Sequence, residues 1–214
     1  MNLSHNRQSS LFLLLGTFLM FATMILHPVG GDFEHLLAVS QMGIITHSLA
    51  IFSLPFSALG FVGLTQWLGS NRFFSRLGLA FMLLGLVAAM LAAAVNGLTL
   101  PFFIGDYAEA DPAIIEAIHP ILRYNMAFNH SFDYLLISAM FLSTFLWSIA
   151  IFRSGKLPRW VAFLGFAIVA IVLISAVSGV YFLDLHGFRM FVFGWLVWIL
   201  SVGVALWRAE EEVN

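Results

Sequence analysis

The chain has 214 residues, of which 61% are hydrophobic and only 9% are charged, and its formal net charge is −2. A soluble globular domain has about 25% charged residues, so this composition excludes a water-soluble enzyme and indicates a polytopic membrane protein. The small net charge excludes a nucleic-acid partner, which requires a basic face. The absence of Cys excludes disulfides and thiolate metal sites.

Six apolar segments are long enough to form membrane-spanning helices, which need about 20 residues each. We therefore expect an all-α bundle of six transmembrane helices in a single domain, residues 1–214. The predicted spans are residues 10–26, a second segment that ends at Leu68 and contains Pro55, residues 74–100, a fourth segment that ends at Phe152, residues 158–183 and residues 188–207.

The basic residues predict the orientation of the bundle. Seven of the nine Lys and Arg residues fall on one side of it, which the positive-inside rule makes cytoplasmic, so both termini are expected inside. These residues are Arg7, Arg72, Arg76, Arg153, Lys156, Arg159 and Arg208. The second and fourth helices are expected to continue beyond the membrane on the outer side, starting at Asp32 for the second and at Pro112 or Pro120 for the fourth.

Histidines are concentrated on the predicted outer side. Six of the seven are assigned there: His27, His35, His47, His119, His130 and His186. On the second helix His35 and His47 are separated by about 17 Å, and His119 and His130 are separated by a similar distance on the fourth. If these two helices pack side by side, His47 lies level with His130, and His35 lies level with His119.

His130 and Asp133 form the most suggestive pair. Their i, i+3 spacing places them on one helix face, and a carboxylate next to a histidine fixes its tautomer, as it does around many metal sites. Three interpretations stay open: a metal or haem site, an acid–base site without metal, or interfacial salt bridges with a structural His130. The predicted metal ligands are His47, His130, His35, His119 and Asp133. Further polar residues of the outer face are Arg123, His186, His27, Asn129 and Glu34. Without Cys, the candidate cofactors are copper, zinc, iron or haem b.

Residues 146–160 (LWSIAIFRSGKLPRW), together with Gly165 and residues 184–188 (DLHGF), resemble an uncharacterised family of bacterial inner-membrane proteins with six helices. The resemblance covers about the last third of the chain. It implies a six-helix fold and a multi-pass protein of the bacterial inner membrane. In that membrane the outer side, which the basic residues assign to the histidines, is the periplasmic side. It implies no activity and no functional residues.

Three classes of function remain open from the sequence. The first is a metal- or haem-binding protein of redox type with a site near the outer leaflet. The second is a non-catalytic accessory subunit of a larger membrane complex. The third is a transporter of an uncharged small molecule, since the spans lack buried charges at mid-membrane depth. The expected partners are the lipid bilayer and either a membrane complex or further copies of this chain. The sequence does not decide whether the protein is an enzyme.

Overall fold

The computed structural model describes residues 4–69, 72–179 and 185–209, with no side chains described at 185 and 186, and this part of the chain is helical throughout apart from its connections. All six helices are long and apolar enough to cross a membrane, which confirms the predicted six-helix membrane bundle. The helices are α1 His5–Leu26, α2 Phe33–Gly69, α3 Phe73–Gly105, α4 Pro112–Ser154, α5 Arg159–Val177 and α6 Leu185–Arg208.

Helices α2 and α4 are much longer than a membrane crossing requires. They contain 37 and 43 residues, which at 1.5 Å per residue gives lengths of about 55 Å and 64 Å against a hydrocarbon core of about 30 Å. The predicted extension of both helices is therefore confirmed. The Asp32 carboxylate accepts a hydrogen bond from the His35 backbone N–H at 2.9 Å, as expected of a residue that caps a helix N-terminus. Helix α4 starts at Pro112, and Pro120 lies inside it.

The packing of neighbouring helices differs from the sequence-based expectation. Helix α2 packs along α1 and α4 packs along α3, whereas α2 and α4 touch each other only over a short stretch. The prediction that the second and fourth helices lie side by side is therefore wrong. The six-residue connections 27–32 and 106–111 explain the difference, because helices joined by short connections become antiparallel neighbours.

Close backbone contacts hold the end of the bundle that carries both chain termini, which we call the terminal end. A Cβ on Gly60 would lie 2.7 Å from the Leu13 backbone nitrogen, and a Cβ on Gly63 would overlap the Ser9 side chain, so α1 and α2 approach closely here. The Ser10 hydroxyl donates to the Gly203 carbonyl of α6 at 2.7 Å. Aromatic rings fill the centre of the terminal end, with Phe61 stacked on Trp147 and Trp147 on Trp198.

Gly60→Ala is expected to destabilise the bundle, because the added methyl group would push α1 away from α2. We expect a loss of roughly 1–3 kcal/mol, the usual cost of overpacking, measured as a lower unfolding temperature in detergent. Gly194→Ala is the matched control, because a Cβ at this helical glycine meets no atom within 4 Å. Equal unfolding temperatures for the two variants would contradict the tight α1–α2 contact.

Candidate functional site

A cavity of about 440 Å³ opens between the helices at the end of the bundle opposite the termini, which we call the cavity end. Its walls are mainly apolar, and α1, α2, α3, α4 and α6 all contribute to them. Polar side chains lie around its rim: His27, His47, Asn96, Asn129, His130 and Asp133. A second cavity of about 220 Å³ adjoins it and shares five of these six polar residues, all but Asp133. The rim therefore combines imidazole, amide and carboxylate groups next to a mainly apolar space.

His27 and His47 are in direct contact at this rim. Their Nε2 atoms are 3.2 Å apart, and the ring centroids are separated by 4.8 Å at an interplanar angle of 62°. The Nδ1 atom of His27 lies 2.8 Å from the Pro28 carbonyl oxygen. The Nδ1 atom of His47 lies 2.7 Å from the Gly43 carbonyl oxygen. Each ring is thus held by its own backbone and turns its second nitrogen toward the other ring.

These contacts determine where the protons of the two rings lie. A carbonyl oxygen only accepts hydrogen bonds, so each Nδ1 carries a proton and donates it, and each neutral ring has its lone pair on Nε2. Burial lowers the pKa of His27 to about 4, with further lowering from His47 and Arg189, so this ring is neutral near pH 7. Two lone pairs therefore face each other at 3.2 Å, and a shared cation would relieve their repulsion.

The backbone between α1 and α2 brings the two histidines together. Helix α1 ends at Leu26, and His27 has an extended conformation with ψ 120°. The six steps from His27 to Phe33 span at most about 20 Å in an extended chain. His47 lies 14 residues after Phe33, about 21 Å back along the helix. Residues 28–32 thus lead the chain away from the terminal end, and α2 returns to the depth of His27. Arg189 of α6 donates a hydrogen bond of 2.6 Å to the His27 carbonyl oxygen.

A π-helical turn in α3 fits against His47. Residues Val95–Thr99 form this turn, and a Cβ on Gly97 would overlap the Cβ and Cγ atoms of His47, so only glycine leaves space for the imidazole here. In the same turn Asn96 accepts a hydrogen bond of 2.9 Å from the Asn125 side chain of α4. π-Helical turns occur often at functional sites. This one positions a rim amide and accommodates a rim imidazole.

Helix α4 provides the other wall of the cavity. Here Asn129 donates to the Asp133 carboxylate at 3.1 Å, and His130 lies between them in sequence. The hydrogen bond that the structure gives to Asp133 thus comes from Asn129, where the sequence led us to expect His130. Among the described residues the Oδ1 atom of Asn129 is buried and has no hydrogen-bond partner. This wall therefore offers an acceptor oxygen, a carboxylate and an imidazole near the His27–His47 pair.

The other predicted residues whose side chains the structure describes lie away from the cavity. His35 is exposed, and its Nε2 lies 3.0 Å from the Val29 carbonyl oxygen. His119 is 3.4 Å from Glu116 at the start of α4. Glu34 and Arg123 are exposed and do not line the cavity. The side chain of His186 lies outside the described residues.

The structure thus brings together only part of the predicted ligand set. His47, His130 and Asp133 line the cavity, and so do His27 and Asn129, which the sequence placed among the other polar residues of the outer face. Across residues 4–69, 72–179 and 185–209, no three His, Cys, Asp or Glu residues approach closely enough to form a metal-binding group. At the cavity His27 and His47 turn their Nε2 atoms toward each other at 3.2 Å.

Gly97→Ala should displace His47, because the added methyl group would overlap the Cβ and Cγ atoms of His47. We expect a loss of roughly 1–3 kcal/mol in unfolding free energy, measured by thermal unfolding in detergent. Gly105→Ala serves as the control on the same helix, since a Cβ there meets nothing within 4 Å. A Gly97→Ala protein as stable as this control would contradict the packing of the π-helical turn against His47.

Comparison of the chain with protein-family models, with curated proteins and with solved structures finds no match. The side chains and the cavity described above are therefore the basis for assigning a function to this six-helix membrane protein.

Proposed function

We propose that this membrane protein binds a transition-metal ion at the His27–His47 pair, on the rim of the cavity. The separation of the two Nε2 atoms, 3.2 Å, carries the proposal. Two ligands of a tetrahedral ion with metal–nitrogen bonds of 2.0–2.1 Å are about 3.3 Å apart. The Nδ1–H groups of both rings point to backbone carbonyls, which is the usual arrangement around histidines that bind metals through Nε2.

The opposite wall can supply further ligands. His130 and Asp133 line the same cavity and offer an imidazole and a carboxylate. Copper, zinc and iron all accept such ligands. Haem fits less well, because a porphyrin has no room between two rings whose nitrogens are 3.2 Å apart. A single ion is therefore favoured over haem b as the cofactor.

Metal content per chain tests this function. Purified wild-type protein should bind about one ion per chain, whereas His27→Ala and His47→Ala should lose it, because each removes one of the two preformed ligands. Asp133→Asn should weaken binding roughly 10–100-fold if the carboxylate supports a ligand. His35→Ala is the matched control, because this exposed imidazole lies outside the cavity and should be dispensable.

Two results would contradict the metal site. One is equal occupancy in the wild type and in all four variants, each verified as monodisperse and folded. The other is the absence of any bound ion in the wild type after exposure to copper, zinc and iron salts. Either result would favour the accessory-subunit alternative.

We further propose that the cavity faces the periplasm of a bacterial inner membrane. The seven basic residues near the helix termini at the terminal end support this orientation through the positive-inside rule. The resemblance of the C-terminal third to six-helix inner-membrane proteins supports the choice of membrane. In this orientation the ion would exchange with the periplasm and not with the cytoplasm.

Single cysteines test the orientation, because the native chain has none. Glu109 and Arg159 are exposed residues at opposite ends of the bundle. In intact cells a membrane-impermeant maleimide should label Glu109→Cys and should label Arg159→Cys only after the cells are opened. Labelling of Arg159→Cys in intact cells would contradict the proposed orientation, because it would place the terminal end on the outer side of the membrane.

A further inference from the structure

We infer that the ion held by His27 and His47 is Cu(I), with the thioether sulfurs of Met24 and Met126 as additional ligands. This inference rests on the proposed metal-binding function and adds the identity of the ion. It starts from an observation that the proposed function does not use. Five of the nine methionines of the chain line the cavity: Met20, Met24, Met82, Met126 and Met140.

Two of these methionines accompany the rim histidines. Met24 precedes His27 by three residues at the end of α1, and Met126 precedes His130 by four residues on α4. Residues four apart lie on the same face of a helix, as Met126 and His130 do on α4, and all four of these side chains line the same cavity. Met126 also lines the adjoining cavity together with His27 and His47. Methionine side chains from α1 and α4 thus line the cavity together with the histidine pair.

The donor types select the ion. Thioether sulfur is a soft ligand that favours Cu(I), imidazole binds copper well, and the chain has no Cys to bring thiolate chemistry into the site. Leucine would fill an apolar wall as well as methionine does, but it offers no lone pair. Methionine also has three rotatable bonds, so its sulfur can move toward an ion without movement of the backbone.

The electrostatics of the cavity point the same way. The Born cost of moving an ion out of water rises with the square of its charge, so a monovalent ion costs about one quarter as much as a divalent ion of the same size. The walls are mainly apolar, and within the part of the chain that the structure describes Asp133 is the only carboxylate that lines the cavity. A soft monovalent cation suits these walls better than Zn²⁺ or Fe²⁺.

Competition with a chromophoric Cu(I) chelator under anaerobic, reducing conditions tests the inference. Wild-type protein should withdraw Cu(I) from the chelator, and Met24→Leu and Met126→Leu should each reduce its Cu(I) affinity at least about tenfold. Their Zn(II) affinity should change little, because zinc makes little use of thioether ligands. Met90→Leu is the matched control, because this α3 methionine lies outside the cavity. Leucine has nearly the same volume as methionine, so these substitutions remove the sulfur atom with little change in packing.

X-ray absorption spectroscopy of the copper-loaded protein gives an independent measurement. The wild type should show sulfur scattering at about 2.3 Å, a normal metal–sulfur bond length, and the Met24→Leu/Met126→Leu double variant should lose it. Zn(II) bound by the histidines without retention of Cu(I), or Cu(I) bound without sulfur scattering, would overturn the inference and leave the proposed function intact. Failure to bind any metal ion would overturn both.

Discussion

Within a bilayer, the protein itself must satisfy its polar groups, because lipid tails offer no hydrogen-bond partner. In this bundle the side-chain hydroxyl groups mostly donate hydrogen bonds to backbone carbonyls of their own helix. The hydroxyl of Thr17 donates to the Leu13 carbonyl one turn earlier, and Thr23 does the same to Leu19. His27 and His47 follow this pattern with their Nδ1–H groups, but an imidazole has a second nitrogen that the neighbouring backbone does not reach. The Nε2 atoms of both rings therefore have no hydrogen-bond partner in the neighbouring backbone.

The overall fold could be predicted from the sequence because the bilayer imposes a length on apolar segments and places charges at their ends. The number of helices and the extension of α2 and α4 beyond one membrane crossing both follow from such patterns. The neighbours of each helix could not be derived in this way. Helices α2 and α4 carry similarly spaced histidines, but spacing along a helix contains no information about which helix lies beside it.

The candidate site was predictable only in part, for the same reason. The spacing of the histidines and the pairing of His130 with Asp133 selected three residues that line the cavity, His47, His130 and Asp133, and two that do not, His35 and His119. The contribution of His27 depends on the path of residues 28–32, where Pro28, Gly30 and Gly31 prevent the chain from forming a helix. The role of Gly97 depends on a π-helical turn, and no periodicity in the apolar run of α3 marks its position. An Asn–Gly dipeptide within that run, residues 96–97, is the only local signal.

The difference between the two ends of the bundle connects packing with the proposed function. At the terminal end, glycine contacts and stacked aromatic rings fix the helices closely together. Helix α1 ends at Leu26, whereas α2 extends further toward the cavity end. Beyond Leu26, α2 therefore lacks α1, its main neighbour, and a space opens between α2 and α4. An ion bound by His27, His47 and Met126 would link α1, α2 and α4 across this space, where direct contacts between α2 and α4 are few. Because such an ion binds the folded bundle and not the separated helices, its binding free energy adds to the stability of the cavity end.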